Sequence, residues 1–424
     1  MQTEAMTESS IPLELLAAAP GAPPPLEALR RLGDRGGLLG LAPVQELSGL
    51  QEAVGHGKQE WLGLAPAVVV GSGGSMGRRR WCLQPLSHLE ASAIATAAWL
   101  RGLGIDPKRA LVVNPLPWHH VSGLMPWVRS QCWGAEHRWL PPGQLHQLEE
   151  LPFPAHTSGG AAVLSLVPTQ LHRLLAQPAG VRWLREFAVI WVGGAPLAEA
   201  EAVRSRELGL RLAPCYGSTE TGAMVMALPP QSFLAGAEGC GPALPHVQLR
   251  LDASSGALQI KAASLAMGML QQGELQPLPL DQGWWSSGDQ AELGAEGWQL
   301  LGRLDGAIQS GGETVFPEQV EQRLLELARA QGLPVVELLV LPEADPLWGE
   351  RLVGLVKPAA GIGAADAALW QSLQTLAFTL PPSQRPRRWL LCAELQRNPL
   401  GKWERQLWRQ WLQSQPASQP AQEP

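Results

Sequence analysis

A stretch rich in glycine and serine, residues 71–77, follows the short apolar run at 67–70 and is the first segment suited to chemistry. Exposed backbone N–H groups and hydroxyls, reinforced by the arginines at 78–80, can bind a phosphate group. The spacing fits no Walker loop, because Ser72 stands where glycine is required, and no dinucleotide fingerprint, because Met76 replaces the third glycine. A flexible hairpin loop with solvated arginines stays open as the simpler interpretation.

The same stretch fits the G-x-S-x-G pattern of α/β hydrolases, in which Ser75 would be the nucleophile. That geometry needs a helix immediately after the serine. Residues 78–84 instead have an extended pattern, and Pro85 blocks a long helix. We therefore predict strand–loop–strand here and keep an α/β hydrolase as the alternative from a different class.

Five further segments combine glycine with polar or charged residues. They are, in chain order, 192–196 (VGGAP), 216–222 (YGSTETG), 283–289 (GWWSSGD), 302–313 (GRLDGAIQSGGE) and 397–402 (RNPLGK). Each alone could be a turn. In this order and spacing they resemble the adenylate-forming superfamily, which includes acyl- and aryl-CoA ligases, peptide-synthetase adenylation domains and luciferases. The resemblance covers residues 65–405, and 345–350 is similar to a lid segment of that family.

The resemblance implies an α/β fold, with a large N-terminal domain of layered sheets and helices and a small α+β C-terminal lid domain. The chain pattern favours the same class, because short apolar strands alternate with helical stretches. The expected units are an AMP-binding domain at 1–303, a mobile lid at 304–413 and a disordered tail at 414–424.

Several elements can be predicted from hydrophobic patterns and turn residues. The predicted strands are 110–113, 162–166, 188–192, 247–251, 258–261, 335–341 and 351–356, and the predicted helices are 91–101, 168–175, 197–208 and one from Pro317 to near Gly332. Residues 87–90 have the spacing of a capping box before the first of these helices. Residues 1–60 show only weak periodicity.

The resemblance also implies which residues contact ATP. Tyr216 would lie against the adenine, Thr219 would bind the α-phosphate, and Glu220 would hold Mg²⁺. Asp289 would accept hydrogen bonds from the ribose, with Arg303 beside it. The complete ATP-binding set is Ser72, Gly73, Gly74, Ser75, Gly77, Arg80, Gly193, Gly194, Ala195, Tyr216, Gly217, Thr219, Asp289 and Arg303.

The lid residues follow from the same resemblance. Asp305 matches the hinge on which the lid rotates, and Gly311 and Gly312 would let the pantetheine arm of coenzyme A approach the backbone. Lys402 matches the lysine that bridges the carboxylate and the α-phosphate, and it would act with Glu220 and Thr219. The implied reaction is adenylation of a carboxylic acid, followed by lid rotation and acyl transfer to coenzyme A.

Three residues depart from the family pattern. Met76 replaces a threonine and Arg79 replaces a proline, so the phosphate loop loses a hydroxyl and some rigidity. Gly306 stands where a second aspartate is usual after the hinge. None of these changes removes a charge that the chemistry requires.

The choice of acid depends on two segments. Residues 114–123 match the family's P-L-F-H-x-x-G segment and place His120 beside the acyl pocket. Residues 165–175 are most similar to the o-succinylbenzoate–CoA ligases of menaquinone and phylloquinone synthesis, which implies that Ser165 and Thr169 contact the substrate. A plain strand-to-helix turn explains the second segment equally. A CoA ligase for another aryl or fatty acid, a carrier-loading adenylation enzyme and a non-catalytic nucleotide-binding relative stay open.

Composition limits the partners. The 424 residues are 17% charged with a net charge of −6, so the composition lacks the excess of basic residues that indicates nucleic-acid binding. No run approaches the ~18 apolar residues of a membrane span. The five cysteines form no C-x-x-C pair, which indicates a reducing cytosol. We expect a cytoplasmic enzyme for a small carboxylic acid, without membrane insertion, and a homodimer by family habit.

One compositional oddity falls inside a motif. The chain has 18 Trp and 5 Phe but a single Tyr, and that residue is Tyr216 in the segment expected to bind adenine. Tyrosine offers both a ring and a hydroxyl, whereas phenylalanine offers only the ring. The sequence therefore predicts a specific use for the Tyr216 hydroxyl.

Overall fold

The protein is described by a computed structural model that covers residues 13–19, 21–35, 37–55, 63, 66–72, 79–147, 149, 159–359, 361, 367–398 and 403–415. Helices and strands alternate through the first half of the chain, in the following order. They are β1 (Leu13–Ala18), α1 (Leu26–Arg35), β2 (Leu38–Pro43), α2 (Leu47–Val54), β3 (Ala67–Ser72), β4 (Arg80–Pro85), α3 (Leu86–Gly102), β5 (Leu111–Asn114), α4 (Val121–Trp133), β6 (Glu136–Trp139), β7 (Ala162–Leu166), α5 (Pro168–Leu175), α6 (Pro178–Leu184), β8 (Phe187–Val192), α7 (Glu199–Glu207), β9 (Leu212–Ser218), β10 (Ala223–Ala227) and α8 (Pro230–Leu234).

The second half begins with consecutive strands and ends with a smaller mixed unit. The elements are β11 (Val247–Leu251), β12 (Ala257–Ala262), β13 (Gly268–Gln271), β14 (Glu274–Pro277), β15 (Leu280–Asp281), β16 (Trp284–Gly294), β17 (Gly297–Arg303), β18 (Ile308–Ser310), β19 (Glu313–Val315), α9 (Pro317–Ala330), β20 (Val335–Asp345), β21 (Gly349–Pro358), α10 (Ala367–Phe378), β22 (Pro386–Leu391) and α11 (Arg405–Ser414).

Two six-stranded sheets form most of the larger part. One has the order β1-β2-β3-β4-β13-β14, and the other has the order β10-β9-β8-β7-β5-β6. Strands β5 to β9 are parallel to one another, so their carboxyl ends meet at one edge of the sheet. The inner strands β5, β7 and β8 are nearly continuous apolar runs, as expected of parallel strands that are covered on both faces.

A third sheet joins β11, β12, β16, β15 and β17, and it packs into the same core as the second. A fourth sheet, β19-β18-β21-β20 with β22 beside β21, belongs to the smaller unit, where α9 and α10 bury an apolar face against it. The division into domains at residues 303 and 304 stays a proposal, which the separate core of the smaller unit supports.

Most of the predicted elements are present. Strand β7, strand β11 and helix α5 have the predicted bounds. The capping box at 87–90 is wrong, because α3 begins at Leu86, one residue after Pro85, and these residues lie inside its first turns. Proline fixes its own φ and ends the preceding strand, so the helix starts earlier than the capping pattern indicated.

The loop between β3 and β4 has the predicted strand on each side. The two strands are antiparallel, and Ser72 lies opposite Arg80 in their register. Residues 73–78 lie outside the described residues. Because a strand follows them where a hydrolase elbow needs a helix, the alternative with Ser75 as a nucleophile loses its geometric support.

In the part of the chain that the structure describes, no helix combines the length and the apolar character that a membrane span requires.

The buried face of the parallel sheet should dominate stability. Leu164 on β7 is 0% exposed, so Leu164→Ala should lower the free energy of unfolding by about 2–5 kcal/mol through lost burial and a residual cavity. Leu293 is 63% exposed, and Leu293→Ala is the matched control with an expected change within about 0.5 kcal/mol. Urea unfolding measures both changes, and an equal cost at the two positions would contradict this placement of the core.

Candidate active site

The base of the glycine-rich loop is tied to a buried carboxylate. Ser72 Oγ donates to Glu220 Oε1 at 2.8 Å, and Arg80 Nη2 lies 3.1 Å from the same oxygen. Glu220 is only 5% exposed, whereas the side chain of Arg80 is more than half exposed. A buried charge needs such partners to offset its lost hydration. The predicted ATP ligands Gly73, Gly74, Ser75 and Gly77 lie outside the described residues.

Glu220 is carried by a tight hairpin between β9 and β10. The Thr221 hydroxyl accepts from Ser218 N at 2.8 Å and donates to Ala223 O at 2.6 Å, which closes the turn. A Cβ on Gly217 would lie 1.9 Å from Ala223 O, so only glycine fits at that position. The Gln84 side chain donates to Thr219 O from β4. The hairpin therefore holds Thr219 and Glu220 in fixed positions, with Glu220 beside the end of β3.

Three of the predicted nucleotide ligands lie together around Tyr216, which is on the β9 strand of this hairpin. The Tyr216 hydroxyl donates to Asp289 Oδ2. Arg303 stands opposite Asp289 in the pairing of β16 with β17, and its Nη1 lies 3.7 Å from Asp289 Oδ1. Arg303 also makes two bonds to Asp305, from Nε at 3.0 Å and from Nη2 at 2.8 Å. The structure thus forms a continuous chain of four polar side chains from the tyrosine to the expected hinge.

Burial and neighbouring charges set the protonation of this chain. Burial raises the pKa of Tyr216, and the Asp289 charge raises it further, so the phenol stays neutral and donates. Burial also raises the pKa of Asp289, while the Tyr216 hydrogen bond and Arg303 oppose that rise. The bonds to Asp305 raise the pKa of Arg303.

The segment after β8 lies at the carboxyl edge of the parallel sheet. A Cβ on Gly193 would lie 2.8 Å from Cys215 Sγ, and Gly194 has a φ of +86°, so the chain needs glycine at both positions. Gly193 N donates to Leu166 O at 3.2 Å. Ala195 follows them, so the predicted adenine and acyl segment lies beside β7 and β9.

The expected acyl residues come from neighbouring strand ends. Ser165 is on β7 and Thr169 is in the first turn of α5, and both are half buried. His120 is the N-cap residue of α4, and Arg79 Nη1 lies 3.5 Å from its Nδ1. Asn114, at the end of β5, donates to Gly123 O at 2.8 Å and so connects this strand end to α4.

A buried arginine on α4 was not predicted. Arg129 is 3% exposed, its Cζ lies 5.0 Å from the Trp191 ring, and within the described residues its Nε has no hydrogen-bond partner. The indole N–H of Trp191 is likewise buried and unpartnered in that part of the chain. Burial lowers the pKa of Arg129 to about 10, with the Cys215 thiol opposing, so the guanidinium stays charged at neutral pH. The signal available in the sequence was a single charged residue in the apolar run 121–133.

The lid contributes a glycine turn. Gly311 and Gly312 join β18 to β19 with φ values of +59° and +84°. A Cβ on Gly311 would lie 2.6 Å from the Trp348 ring, so that position excludes any side chain. Lys402 lies outside the described residues, and its predicted role stays a prediction.

A resident metal cluster was also sought. Among the residues that the structure describes, no three His, Cys, Asp or Glu side chains converge as metal ligands do. A magnesium ion that accompanies a nucleotide needs fewer, because phosphate oxygens and water supply most of its ligands. Within the described part of the chain, both side-chain hydrogen bonds of Glu220 use Oε1, so its other oxygen fits that role.

Comparisons with known proteins agree with this geometry. Residues 65–268 match the family model of AMP-binding enzymes. The 2-succinylbenzoate–CoA ligase of Salmonella typhimurium is 31% identical over 297 residues, which cover 70% of this chain and 59% of that protein. The Escherichia coli K12 ligase of the same name is 29% identical over 300 residues, covering 71% and 60%. The chain therefore spans about three fifths of the length of these relatives.

Solved structures show the same likeness. E. coli MenE with a bound phenylether-linked analogue of OSB-AMS is 26% identical with a TM-score of 0.59, over 82% of this chain and 69% of that one. The Bacillus subtilis o-succinylbenzoate CoA synthetase with OSB-AMP is 20% identical with a TM-score of 0.68, over 94% and 82%, and shows the shared fold. These matches confirm the predicted fold class and the predicted resemblance. Residues 65–268 thus match the AMP-binding enzyme family, and the chain shares its fold with the solved synthetases above.

Proposed function

We propose that the protein is an ATP-dependent acid–thiol ligase that adenylates o-succinylbenzoate and transfers the acyl group to coenzyme A, releasing AMP and pyrophosphate. The observation that carries this proposal is that one hairpin, β9–β10, contributes a residue to each of two polar clusters. Tyr216, Asp289 and Arg303 form a cluster suited to a nucleoside, and Ser72, Arg80 and Glu220 form a cluster suited to its phosphates. The names of the relatives support the choice of acid.

Each cluster has a definite part in nucleotide binding. The ring of Tyr216 offers a face to the adenine while its hydroxyl holds Asp289, whose carboxylate accepts hydrogen bonds from the ribose. Arg80 is exposed enough to contact phosphate oxygens while it remains paired with Glu220. Thr219 lies between the two clusters and would contact the α-phosphate.

Magnesium fits beside Glu220, whose Oε2 would ligate it together with phosphate oxygens. When bound, the ion neutralises phosphate charge and favours departure of pyrophosphate. Arg80 supplies a second positive charge from the protein, and Lys402 would supply a third from the lid.

The reaction balances in two steps. In the first, a carboxylate oxygen of the acid attacks the α-phosphorus, the bond to the bridging oxygen of the β-phosphate breaks, and pyrophosphate leaves. In the second, the thiolate of coenzyme A attacks the acyl carbon, and AMP leaves with the carboxylate oxygen. Lys402 would stabilise charge in the first step. Gly311, where a Cβ would meet the Trp348 ring, and Gly312, whose φ of +84° favours glycine, would admit the pantetheine arm in the second.

A buried cation supports an acid with a second carboxylate. Arg129 and Trp191 both present buried N–H groups that have no partner in the described part of the chain. A charged donor left unpaired inside a protein costs free energy, whereas a ligand carboxylate would satisfy it. The ring carboxylate of o-succinylbenzoate meets this need, and a fatty acid does not.

The proposal also covers the cellular location and the oligomeric state of the enzyme. We place it in the cytoplasm and propose that it is a homodimer. Light scattering of the purified protein measures its mass and decides the second point.

The reaction itself can be tested by AMP formation in the presence of ATP, Mg²⁺ and coenzyme A. We expect turnover with o-succinylbenzoate and none when ATP is omitted. Medium-chain fatty acids and benzoate serve as the alternative substrates. Turnover with these acids but not with o-succinylbenzoate would assign another CoA ligase. Adenylate formation without any thioester would indicate a carrier-loading enzyme.

Arg129 should decide between acids with one and two carboxylates. Arg129→Gln should lower kcat/KM for o-succinylbenzoate by about 100-fold, because a charge-assisted hydrogen bond contributes about 1.5–3 kcal/mol. 4-Oxo-4-phenylbutanoate lacks the ring carboxylate, and its smaller kcat/KM should change little. Arg101→Gln, on the exposed end of α3, is the matched control. An equal loss with both acids would show that Arg129 does not bind the second carboxylate.

The Tyr216 hydroxyl should tune ATP binding and its pH dependence. Tyr216→Phe removes the donor that lowers the pKa of Asp289, so that pKa rises further above its ordinary value. Because the protonated carboxyl is a poorer acceptor, KM for ATP should increase about 3–10-fold. As the pH is lowered, the increase in KM for ATP should also begin at a higher pH in Tyr216→Phe than in the wild type. Asp289→Asn has no carboxyl group to titrate, so its KM for ATP should not show this increase at low pH. An unchanged profile in Tyr216→Phe would mean that only the ring matters.

A further inference from the structure

One face of strand β4 contacts the hairpin that carries Thr219 and Glu220. Arg80, Cys82 and Gln84 are alternate residues of this strand, so their side chains lie on the same face. Arg80 Nη2 lies 3.1 Å from Glu220 Oε1. Gln84 Nε2 donates to Thr219 O at 2.5 Å, and Cys82 Sγ lies 3.9 Å from the same carbonyl oxygen. A single strand face therefore contacts two consecutive residues of the turn.

The turn that receives these contacts has a strained backbone. Ala223, where β10 begins, has a φ of +88°, in the left-handed region that residues with a side chain rarely adopt. Such a conformation persists only where the surrounding contacts impose it. Two of those contacts come from outside the hairpin. Ala266 N donates to Glu220 O at 2.8 Å, and Gln84 donates to the preceding carbonyl. The hairpin therefore depends on other elements for the positions of Thr219 and Glu220.

Fold stability alone gives no reason for an amide at position 84. The Gln84 side chain is 0% exposed, and within the described part of the chain its Oε1 is buried without a hydrogen-bond partner. A buried acceptor without a partner loses its hydration and gains nothing in return. An apolar side chain of similar volume would fill the same space without that loss. The amide is therefore explained by the group to which its N–H donates, which is the Thr219 carbonyl.

We propose that Gln84 is a positioning residue for adenylation, which fixes Thr219 relative to strand β4 through the Thr219 carbonyl. This inference rests on the proposed ligase function, in which Thr219 would contact the α-phosphate. The same strand carries Arg80 at its other end, so one element sets the spacing between that positive charge and Thr219. The effect of Gln84 is geometric, because a displacement of about 1 Å at a reacting group can lose about 100-fold in rate.

Two properties separate this role from a structural one. A residue that only stabilises the fold would lower the melting temperature when it is replaced, and its effect on the rate would add to that of a distant change. A residue that acts through Thr219 should lose its effect once the Thr219 hydroxyl is absent. Gln84→Met should also keep the wild-type melting temperature, because it removes the unpartnered oxygen and leaves Gly222 N as a donor to Thr219 O at 3.3 Å.

The test measures ATP–pyrophosphate exchange with o-succinylbenzoate in Gln84→Met, whose side chain has a similar length but no N–H. We expect kcat to fall by about 10–100-fold, because Thr219 would no longer be held at the α-phosphate. KM for o-succinylbenzoate should stay unchanged, because neither residue belongs to the expected acyl segments. Thr219→Val lacks the hydroxyl. Adding Gln84→Met to Thr219→Val should lower the exchange rate by less than about twofold.

Thr96→Val is the matched control. Thr96 is also 0% exposed, and its hydroxyl donates to a backbone carbonyl, Ser92 O at 2.8 Å, within α3. Its replacement removes a buried hydrogen bond of the same kind and should leave the exchange rate unchanged. Gln84→Leu is a second apolar variant, and its result decides if Gln84→Met alone melts at a lower temperature than the wild type.

Four results overturn the positioning role. They are a wild-type exchange rate in both apolar variants of Gln84, a lowered melting temperature in both, full additivity with Thr219→Val, and an equal rate loss in Thr96→Val. A wild-type protein that exchanges no pyrophosphate with any acid refutes the proposed function instead.

Discussion

The site depends on the burial of one negative charge, that of Glu220. Its carboxylate lies where the first sheet meets the hairpin of the second, and it is held by Ser72 and Arg80 from strands β3 and β4. Its backbone carbonyl also accepts from Ala266 N at 2.8 Å, in the link to β13. A carboxylate removed from water must have such partners. The two sheets therefore cannot shift relative to each other without exposing the Glu220 carboxylate to water or removing its hydrogen-bond partners.

A second constraint connects nucleotide binding to the lid. Arg303 pairs with Asp289 across strands β16 and β17 and with Asp305 two residues later, at the expected hinge. Rotation about Asp305 would change the orientation of the guanidinium that faces Asp289. Because the pKa of Asp289 depends on Arg303 and on the Tyr216 hydroxyl, the ribose acceptor would respond to that rotation. The expected hinge and the expected nucleotide site are thus joined by one chain of hydrogen bonds and an ion pair.

Sequence patterns predicted the middle of the fold well and its beginning poorly. Strands β7 and β11 are bounded by turn residues, and their apolar runs are short enough to exclude a helix. Strand β2 was missed, because its six residues are buried on both faces and include Gly40 and Pro43, which ordinarily mark turns. The order of the motifs predicted the nucleotide ligands. The burial of Arg129 could not be predicted, because it depends on tertiary contacts that a single sequence does not contain.

Two segments with an expected role in the chemistry are flanked in the same way. Residues 73–78 are bracketed by Ser72 and by β4, and residues 399–402 are bracketed by Arg397 and Trp403. In each case the flanking residues converge on a buried glutamate, Glu220 in the larger part and Glu321 in the lid. A glycine-rich or turn segment gains little rigidity from its own side chains. Its ends must therefore supply the precision, and charged hydrogen bonds do this better than apolar contacts because they are directional. In both places, a buried carboxylate thus fixes the described residues that flank the segment.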